Sequence, residues 1–264
     1  MISRLSLRFL ALGYLALLLV FPVVMVFARA FQDGVGAAWQ AVTSPDALHA
    51  LWLTILVAVI AVTANTVFGI VCAIVLVRHR FPGRNLLDAV LDLPLAISPV
   101  VVGLALLILY SLTSPVGAWL AEYGIRIIFS TPGIVLATIF VSLPFVVREV
   151  MPVLREIGTE QEQAASTLGA SPFQSFRMIT LPAIRQGVAY GVVLTTARAI
   201  GEFGAVSVVS GKISGVTETM TVFVADRFQN FDLVGCYAAS VVLAVIAIGT
   251  LLLTNLFEPR EDRR

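Results

Sequence analysis

Residues 51–77 read LWLTILVAVIAVTANTVFGIVCAIVLV, an apolar run that contains no acidic or basic side chain. A helix needs roughly 20 mostly apolar residues to cross the hydrocarbon core of a bilayer, and this run is longer. It therefore predicts a helix that spans a membrane.

The composition of the whole chain of 264 residues supports the same conclusion. Apolar residues make up 59% and charged residues only 12%, and the mean hydropathy is +0.98. A soluble domain has about a quarter of its residues charged, so the missing charge indicates that the lipid bilayer surrounds most of the outer surface. The net charge of +1 gives no electrostatic signature for nucleic acid, and we predict no nucleic-acid partner.

The same criterion, applied along the chain, predicts an all-α integral membrane fold with six transmembrane helices. The predicted spans are residues 9–28, 51–77, 93–112, 127–147, 187–209 and 233–257. The third span is the least regular, because Pro94 and Pro99 near its start remove backbone donors. We treat residues 1–264 as a single transmembrane domain.

The first span has a second interpretation as a signal peptide. Arg4 and Arg8 precede it, and residues 28–30 read Ala-Arg-Ala, which is similar to a cleavage site. Its apolar part is nearly 20 residues long, however, whereas the core of a signal peptide has about 7–15. The sequence therefore favours a retained membrane anchor.

The basic residues are distributed unevenly among the loops between the spans. Short loops rich in Arg and Lys stay on the cytoplasmic side. With a cytoplasmic N-terminus, the inside set is Arg4, Arg8, Arg78, Arg80, Arg84, Arg148, Arg155, Arg177, Arg185, Arg260, Arg263 and Arg264. The outside set is Arg29, Arg126, Lys212 and Arg227. This bias predicts that both termini are cytoplasmic.

The cysteines and histidines do not form a recognisable metal or catalytic motif. Cys72 and Cys236 lie inside apolar runs without the spacing of a metal site, and His49 and His79 lie at the two ends of one run. We therefore predict no metal site.

The longest predicted cytoplasmic connection, residues 151–186, begins with a helix-start pattern. Thr159 and Glu162 have the spacing of a capping box, in which each side chain satisfies a backbone donor at the start of a helix. Gly169 is the residue type that best adopts the left-handed conformation after a helix ends. The pattern predicts a short helix between Thr159 and Gly169.

A second helix-start pattern follows directly. Ser171 and Gln174 form another capping-box pair, and Pro172 occupies the first helical position. Pro182 is expected to end this helix, because the residue before a proline is disfavoured in helical geometry. Two short helices joined by a sharp turn suit docking to another protein, or else lie against the membrane surface as a connector.

This loop resembles the EAA loop of bacterial ABC importer permeases. The matching residues are Gln163-Ala164-Ala165, Gly169 and Ile179-Thr180-Leu181-Pro182. The family pattern is roughly Glu-Ala-Ala, a Gly four residues after the second Ala, and then Ile-x-Leu-Pro, so that Gln163 departs from it. The resemblance implies that residues 158–182 couple the permease to a cytoplasmic ATPase. The implied coupling residues are Glu160, Glu162, Gln163, Ala164, Ala165, Gly169, Ala170 and Ser171.

The fifth predicted span contains two opposite charges, Arg198 and Glu202, which share a face if the helix is continuous. A charge at the centre of a bilayer costs about 2.5–3.5 kcal/mol on insertion scales, so we expect the two side chains to face the interior and pair. Gly201 and Gly204 weaken the helix beside them. The pair is expected either to lock two helices together or to lie at a gate in the transport path.

Residues 197–205, ARAIGEFGA, resemble sulfate and molybdate permeases, and the stretch 208–219 resembles CysW-like subunits of sulfate importers. The resemblance implies a permease subunit of an ATP-driven sulfate or thiosulfate importer in the bacterial cytoplasmic membrane. The implied partners are a second, CysT-like permease, two CysA-like ATPase subunits and an extracytoplasmic sulfate-binding protein. The ATPase subunits would hydrolyse ATP with Mg, and this chain would bind no cofactor itself.

Two alternatives remain open at this point. A molybdate or tungstate permease would carry a similar tetrahedral dianion, and a secondary transporter would use Arg198 and Glu202 without an ATPase. The sequence lacks the G-x-x-x-x-G-K-[ST] phosphate-binding loop, because Gly211-Lys212 is followed by Ile213. We therefore expect a non-catalytic subunit, and the docking loop favours an ATP-driven transporter.

Overall fold

The computed structural model describes residues 4–257, and this part of the chain is helical without a strand. The helices in chain order are α1 (Arg4–Leu15), α2 (Phe21–Ala30), α3 (Val35–Val42), α4 (Pro45–Arg78), α5 (Arg84–Ala96), α6 (Pro99–Tyr110), α7 (Pro115–Glu122), α8 (Thr131–Ile157), α9 (Glu160–Thr167), α10 (Pro172–Ser175), α11 (Leu181–Ile200), α12 (Gly204–Val209), α13 (Met220–Gln229) and α14 (Leu233–Phe257).

Five helical stretches of the described chain are long and apolar enough to cross a membrane. They are Arg8–Ala30, Pro45–Arg78, Thr131–Ile157, Pro172–Ile200 and Leu233–Thr250. A sixth crossing is made if α5 and α6 together count as one span. The all-α membrane fold is therefore confirmed, and α14 has the bounds predicted for the sixth span.

The third span is not the continuous helix predicted for residues 93–112. The chain breaks between α5 and α6, and the two helices are bent by 110°. Ser98 adopts an extended conformation because Pro99 follows it, and Pro99 starts α6, where its missing donor costs nothing. Proline thus ends one helix and starts the next, whereas Pro94 is accommodated inside α5.

The fifth span, predicted for residues 187–209, is also in two pieces. Helix α11 ends at Ile200, and the short helix α12 starts at Gly204 after a turn. The fourth span was predicted for residues 127–147. The corresponding helix, α8, covers Thr131–Ile157 and therefore lies further toward the C-terminus.

The core of the molecule is the packing of α4 along α8. Asn65 of α4 is completely buried, and its amide group donates to the carbonyl oxygen of Ile139 at 3.0 Å and to the hydroxyl of Ser142 at 2.8 Å. Near it, a Cβ atom at Gly69 would lie only 2.8 Å from the Cβ of Val146. The missing side chain of Gly69 therefore lets the two helices approach closely.

An ion-pair cluster fastens α5 to α8. Arg148 of α8 donates from Nε to Asp92 at 2.7 Å, and its Nη2 lies 3.0 Å from Asp88. Both carboxylates belong to α5. The first half of the bent span is thereby held against the core.

We expect Gly69→Leu to separate α4 from α8, because the new side chain would overlap Val146. Overpacking of this kind costs about 1–3 kcal/mol. The measurement is the thermal unfolding midpoint of the purified protein in detergent, which should fall. Gly249→Leu is the matched control, because nothing lies within 4 Å of a Cβ atom at Gly249. Equal loss of stability in the two variants would contradict close packing at Gly69.

Candidate coupling loop and intramembrane ion pair

The loop between α8 and α11 contains the two short helices expected from the sequence. Helix α9 ends before Gly169, whose φ of +87° is the left-handed conformation that glycine adopts without strain. Ser171 and Gln174 form the predicted capping box at the start of α10. The sharp turn at Gly169 and the second capping box are therefore confirmed.

The first capping box is not formed. Thr159 makes no cap hydrogen bond, and its hydroxyl instead accepts a hydrogen bond from the side chain of Gln163 at 3.0 Å. Glu162 turns inward to Arg78 at the end of α4, with 3.1 Å between Nε of the arginine and a carboxylate oxygen. The hydroxyl of Thr180 donates to the same carboxylate at 2.8 Å. Glu162 thus ties the loop to α4 and to the segment before α11, instead of capping α9.

Pro182 does not end the second helix, contrary to the sequence prediction. The helix continues from Pro172 to Ile200 because residues Phe176–Thr180 form a π-helical turn. In this wider turn the N–H of Leu181 donates to the carbonyl of Phe176, five residues earlier. The shifted hydrogen bonding accommodates the proline, so that the loop passes without a break into the fifth span.

The outer surface of the loop is apolar and exposed. Leu168 is 89% exposed, and Phe173 and Met178 are also exposed. Large apolar side chains on a structured loop are typical of a surface that docks to another protein. Leu168 lies on the side of α9 that the sequence pattern assigned to this surface, whereas Met178 was not singled out from the sequence.

The other residues assigned to coupling lie on or near this surface. Helix α9 carries Glu160, Glu162, Gln163, Ala164 and Ala165, and the turn carries Gly169, Ala170 and Ser171. Most of them are exposed, whereas Glu162, Ala165 and Ala170 are partly buried. Glu162 therefore faces the permease itself, whereas Glu160 and Gln163 are available to a partner.

Arg198 and Glu202 form the predicted ion pair. The side chain of Arg198 is 29% exposed and that of Glu202 only 2%. The helix ends between them, so that they pair across a break instead of along a continuous helix. A carboxylate oxygen of Glu202 also accepts the backbone N–H of Ala205 at 2.8 Å, at the start of α12.

The backbone of Glu202 connects the break between α11 and α12 to a third helix, α13. The hydroxyl of Thr221, at the start of α13, donates to the carbonyl oxygen of Glu202 at 2.7 Å. Gly201 is exposed in the turn, where a side chain would meet no other helix. The residues Arg198, Gly201, Glu202 and Gly204 therefore surround one junction.

The two helix breaks in the bundle meet at this junction. A Cβ atom at Gly204 would lie 2.9 Å from the Cβ of Pro99, the first residue of α6. One turn further along α6, a Cβ atom at Gly103 would lie 2.8 Å from the carbonyl oxygen of Ala205. The broken third span and the broken fifth span therefore pack against each other at the points where they bend.

Glu218 is a buried carboxylate that the sequence analysis did not single out. It lies between α12 and α13, on the side of the molecule opposite the loop, and is only 1% exposed. Neither carboxylate oxygen has a hydrogen-bond partner among the described residues. Burial is the main cause that raises the pKa of Glu218 above its ordinary value; the nearby Asp226 and Asp46 add to the increase, whereas Ser214 and Arg227 reduce it.

We expect Glu218→Gln to stabilise the protein at pH 7–8 and to have no effect at pH 4. Below the pKa of the unfolded chain, about 4.3, the carboxyl is protonated in both states. Above it, the unfolded chain loses its proton first, so that folding is penalised increasingly until the pH passes the raised pKa of the folded state. The measurement is the thermal unfolding midpoint as a function of pH, with the exposed Glu122→Gln as control. A shift independent of pH would contradict this assignment.

Comparison with known sequences identifies the family. Residues 65–263 match a protein family that is described as "Binding-protein-dependent transport system inner membrane component". A sulfate transport system permease protein CysW from Synechocystis sp. is 52% identical over 95% of this chain and 91% of its own. The CysW protein of Escherichia coli is 49% identical over 94% and 86% of the two chains, and the CysT protein of the same bacterium is 40% identical over 96% and 92%.

Solved structures show the same fold at low sequence identity. A bacterial ABC transporter involved in the import of alginate superposes with a TM-score of 0.80 at 17% identity, over 98% of this chain and 95% of the other. A second structure of an alginate transporter, in complex with a periplasmic protein bound to an alginate pentasaccharide, gives 0.79 at 19% identity, over 98% and 94% of the two chains. Because the family match covers three quarters of the sequence and the relatives cover nearly all of it, this chain belongs to the binding-protein-dependent transport system inner membrane components, the multi-pass permeases of ABC importers.

Proposed function

We propose that this chain is the membrane-spanning permease subunit of an ATP-driven importer of sulfate. The identity of 46–52% to CysW proteins over almost the whole chain is the observation that carries the proposal. The exposed apolar loop and the intramembrane ion pair supply the two structural elements that such a subunit needs, a docking surface for an ATPase and a junction that can open. Thiosulfate, molybdate and tungstate are dianions related to sulfate, so the proposed path would either transport them as well or exclude them.

The proposed complex contains four further components. The chain is similar both to CysW and to CysT of one bacterium, which supports a second permease of similar fold, CysT-like, beside it. Two CysA-like ATPase subunits would bind on the loop side and hydrolyse ATP with Mg. An extracytoplasmic sulfate-binding protein would deliver the anion on the opposite side. The arginine distribution supports cytoplasmic placement of both termini and of the loop.

The loop is proposed to transmit movement of the ATPase subunits to the membrane helices. Leu168, Phe173 and Met178 would be its contact surface, because they are exposed and apolar. The carboxylate of Glu162 would transmit the movement, because it joins the loop to Arg78 of α4 and to Thr180 before α11. Both helices would therefore move with the loop.

The junction at Glu202 is proposed to be the gate. It lies where two bent spans meet, and bends are the places where a helix can pivot without losing many backbone hydrogen bonds. Arg198 would place a positive charge beside the path of a dianion, although the pairing with Glu202 largely cancels its field. The pair is therefore assigned to control of the opening, and not to direct binding of sulfate.

The function is tested by reconstituting the chain with the four partner subunits in liposomes. We expect ATP-dependent uptake of radiolabelled sulfate. We also expect Gly169→Val to lower sulfate-stimulated ATP hydrolysis about tenfold or more. A β-branched residue at φ +87° strains the turn by about 1–3 kcal/mol. Gly124→Val is the matched control, since Gly124 has a φ of +73° on the opposite side of the molecule. Uptake without ATP, or uptake of molybdate in preference to sulfate, would overturn the proposed function; normal stimulation in Gly169→Val would overturn the coupling role of the loop.

A double-mutant cycle tests the ion pair. Arg198→Gln leaves a carboxylate buried without its partner, and Glu202→Gln leaves an unpaired guanidinium, each at a cost of about 3–5 kcal/mol. The double variant leaves no unpaired charge, so we expect its thermal unfolding midpoint to recover in part. Sulfate uptake should not recover if the pair controls the gate. Strictly additive losses of stability would show that the two charges do not interact.

A further inference from the structure

A cavity of about 460 Å³ opens between the end of α6, helix α7 and the segment before α8. It lies on the side of the molecule opposite the coupling loop. Most of its lining is apolar, as shown by Leu107, Leu120, Ile125 and Ile128, and Ile213 of the α12–α13 connection forms one edge. Its volume is within the range of about 300–1,000 Å³ that is common for ligand sites.

The walls of this cavity are fixed by close backbone contacts. A Cβ atom at Gly117 of α7 would lie 2.0 Å from the carbonyl oxygen of Ser111, so only glycine lets α7 fold back so tightly on the end of α6. A Cβ atom at Gly133 of α8 would similarly lie 2.2 Å from the carbonyl oxygen of Ile127. The cavity is therefore preformed and not a loose gap between mobile segments.

One residue in the lining of the cavity has a strained backbone. Phe129 has a φ of +58°, which is unfavourable for an aromatic residue. Its N–H donates to the carbonyl oxygen of Val209 at the end of α12, at 2.8 Å, and this bond holds the strained residue in place. Strained residues held by their surroundings are concentrated at binding sites.

The surface around the cavity has the character of a membrane interface. Ile108 and Leu112 of the adjoining α6 segment are exposed and apolar, as expected for contact with lipid. Trp119 of α7 and Tyr123, directly after its end, are exposed and contact each other edge to face at a centroid distance of 5.2 Å. Tryptophan and tyrosine are enriched at the level of the lipid headgroups. The cavity therefore opens between the acyl chains and the headgroups.

One cationic side chain, Arg126, belongs to the lining. It makes no ion pair with any residue in the part of the chain that the structure describes. An apolar cavity at headgroup level with an arginine in its lining is complementary to an acyl chain joined to a phosphate. We propose that this cavity is a binding site for a phospholipid of the bilayer, with one acyl chain inside it and the phosphodiester at Arg126.

The site is tested with the reconstituted complex in nanodiscs that contain phosphatidylglycerol with a diazirine halfway along one acyl chain. Photolysis should label peptides from residues 107–128, as identified by mass spectrometry. Ile213→Trp should lower this labelling about fivefold or more, because the larger side chain at the edge fills the cavity. Val216→Trp is the matched control, since Val216 is an exposed residue of the same connection that does not line the cavity.

The headgroup contact is tested separately. Arg126→Gln should lower labelling by the phospholipid about fivefold, the effect of one basic residue on an anionic lipid. It should not alter labelling by a diazirine fatty alcohol, which lacks the phosphate. The variants must retain the thermal unfolding midpoint of the parent complex, and Arg29→Gln is the control for loss of a basic residue. Undiminished labelling in Ile213→Trp, or no labelling of the cavity in the complete complex because a partner subunit occupies it, would overturn the proposal.

Discussion

The carboxylate of Glu202 holds together the part of the bundle where two spans are interrupted. It pairs with Arg198 of α11 and accepts a backbone N–H of α12, while its own carbonyl accepts the hydroxyl of Thr221. A helix break in lipid leaves backbone groups without partners, and each unsatisfied group is costly there. The side chain of Glu202 satisfies one of these groups, the N–H of Ala205, and the hydroxyl of Thr221 satisfies another, the carbonyl of Glu202, so that both sides of the break near Gly201 are hydrogen-bonded.

The position of the neighbouring third span also depends on Glu202. The start of α12 is fixed by Glu202, and Gly204 then brings it into contact with Pro99 at the start of α6. The bend in the third span and the bend in the fifth are therefore not independent features. A change in the position of α12 has to be accommodated by α6, because Gly204 and Gly103 let the two helices approach closely. The breaks in the third and fifth spans thus lie at one place, while α4 and α8 continue without a break around it.

Sequence patterns predicted the features that depend on neighbouring residues. The apolar run of α14, the turn at Gly169 and the capping box at Ser171 were all predicted, since each depends on residues within one or two turns. The role of Glu162 could not be predicted in this way. Its partner Arg78 is 84 residues away, and an ion pair to it is stronger than the local cap that the same residue could have made.

The bends were predicted only in part: Pro94 and Pro99 marked the third span as irregular, and Gly201 and Gly204 marked a weak point in the fifth, but the position and size of each break were not predicted. Hydropathy reports whether a stretch is apolar enough to cross a membrane, and it does not report where a helix within that stretch ends. The pairing of Arg198 with Glu202 was predictable from charge alone, whereas the helix end between them depends on a hydrogen bond to Ala205 and on contact with α6. The cavity near Arg126 likewise depends on contacts between segments that no sequence window contains together.

The π-helical turn before Leu181 has a mechanical consequence. Because it lets the helix pass through Pro182 without a break, residues Pro172–Ile200 form one lever roughly 44 Å long at 1.5 Å per residue. One end of this lever carries the exposed Phe173, and the other end lies next to Glu202. A tilt of about 5° about the end at Phe173 would displace the end at Ile200 by about 4 Å, somewhat less than the rise of one helical turn. In a continuous helix of this kind, a tilt displaces each residue in proportion to its distance from the pivot, without any unfolding along the way.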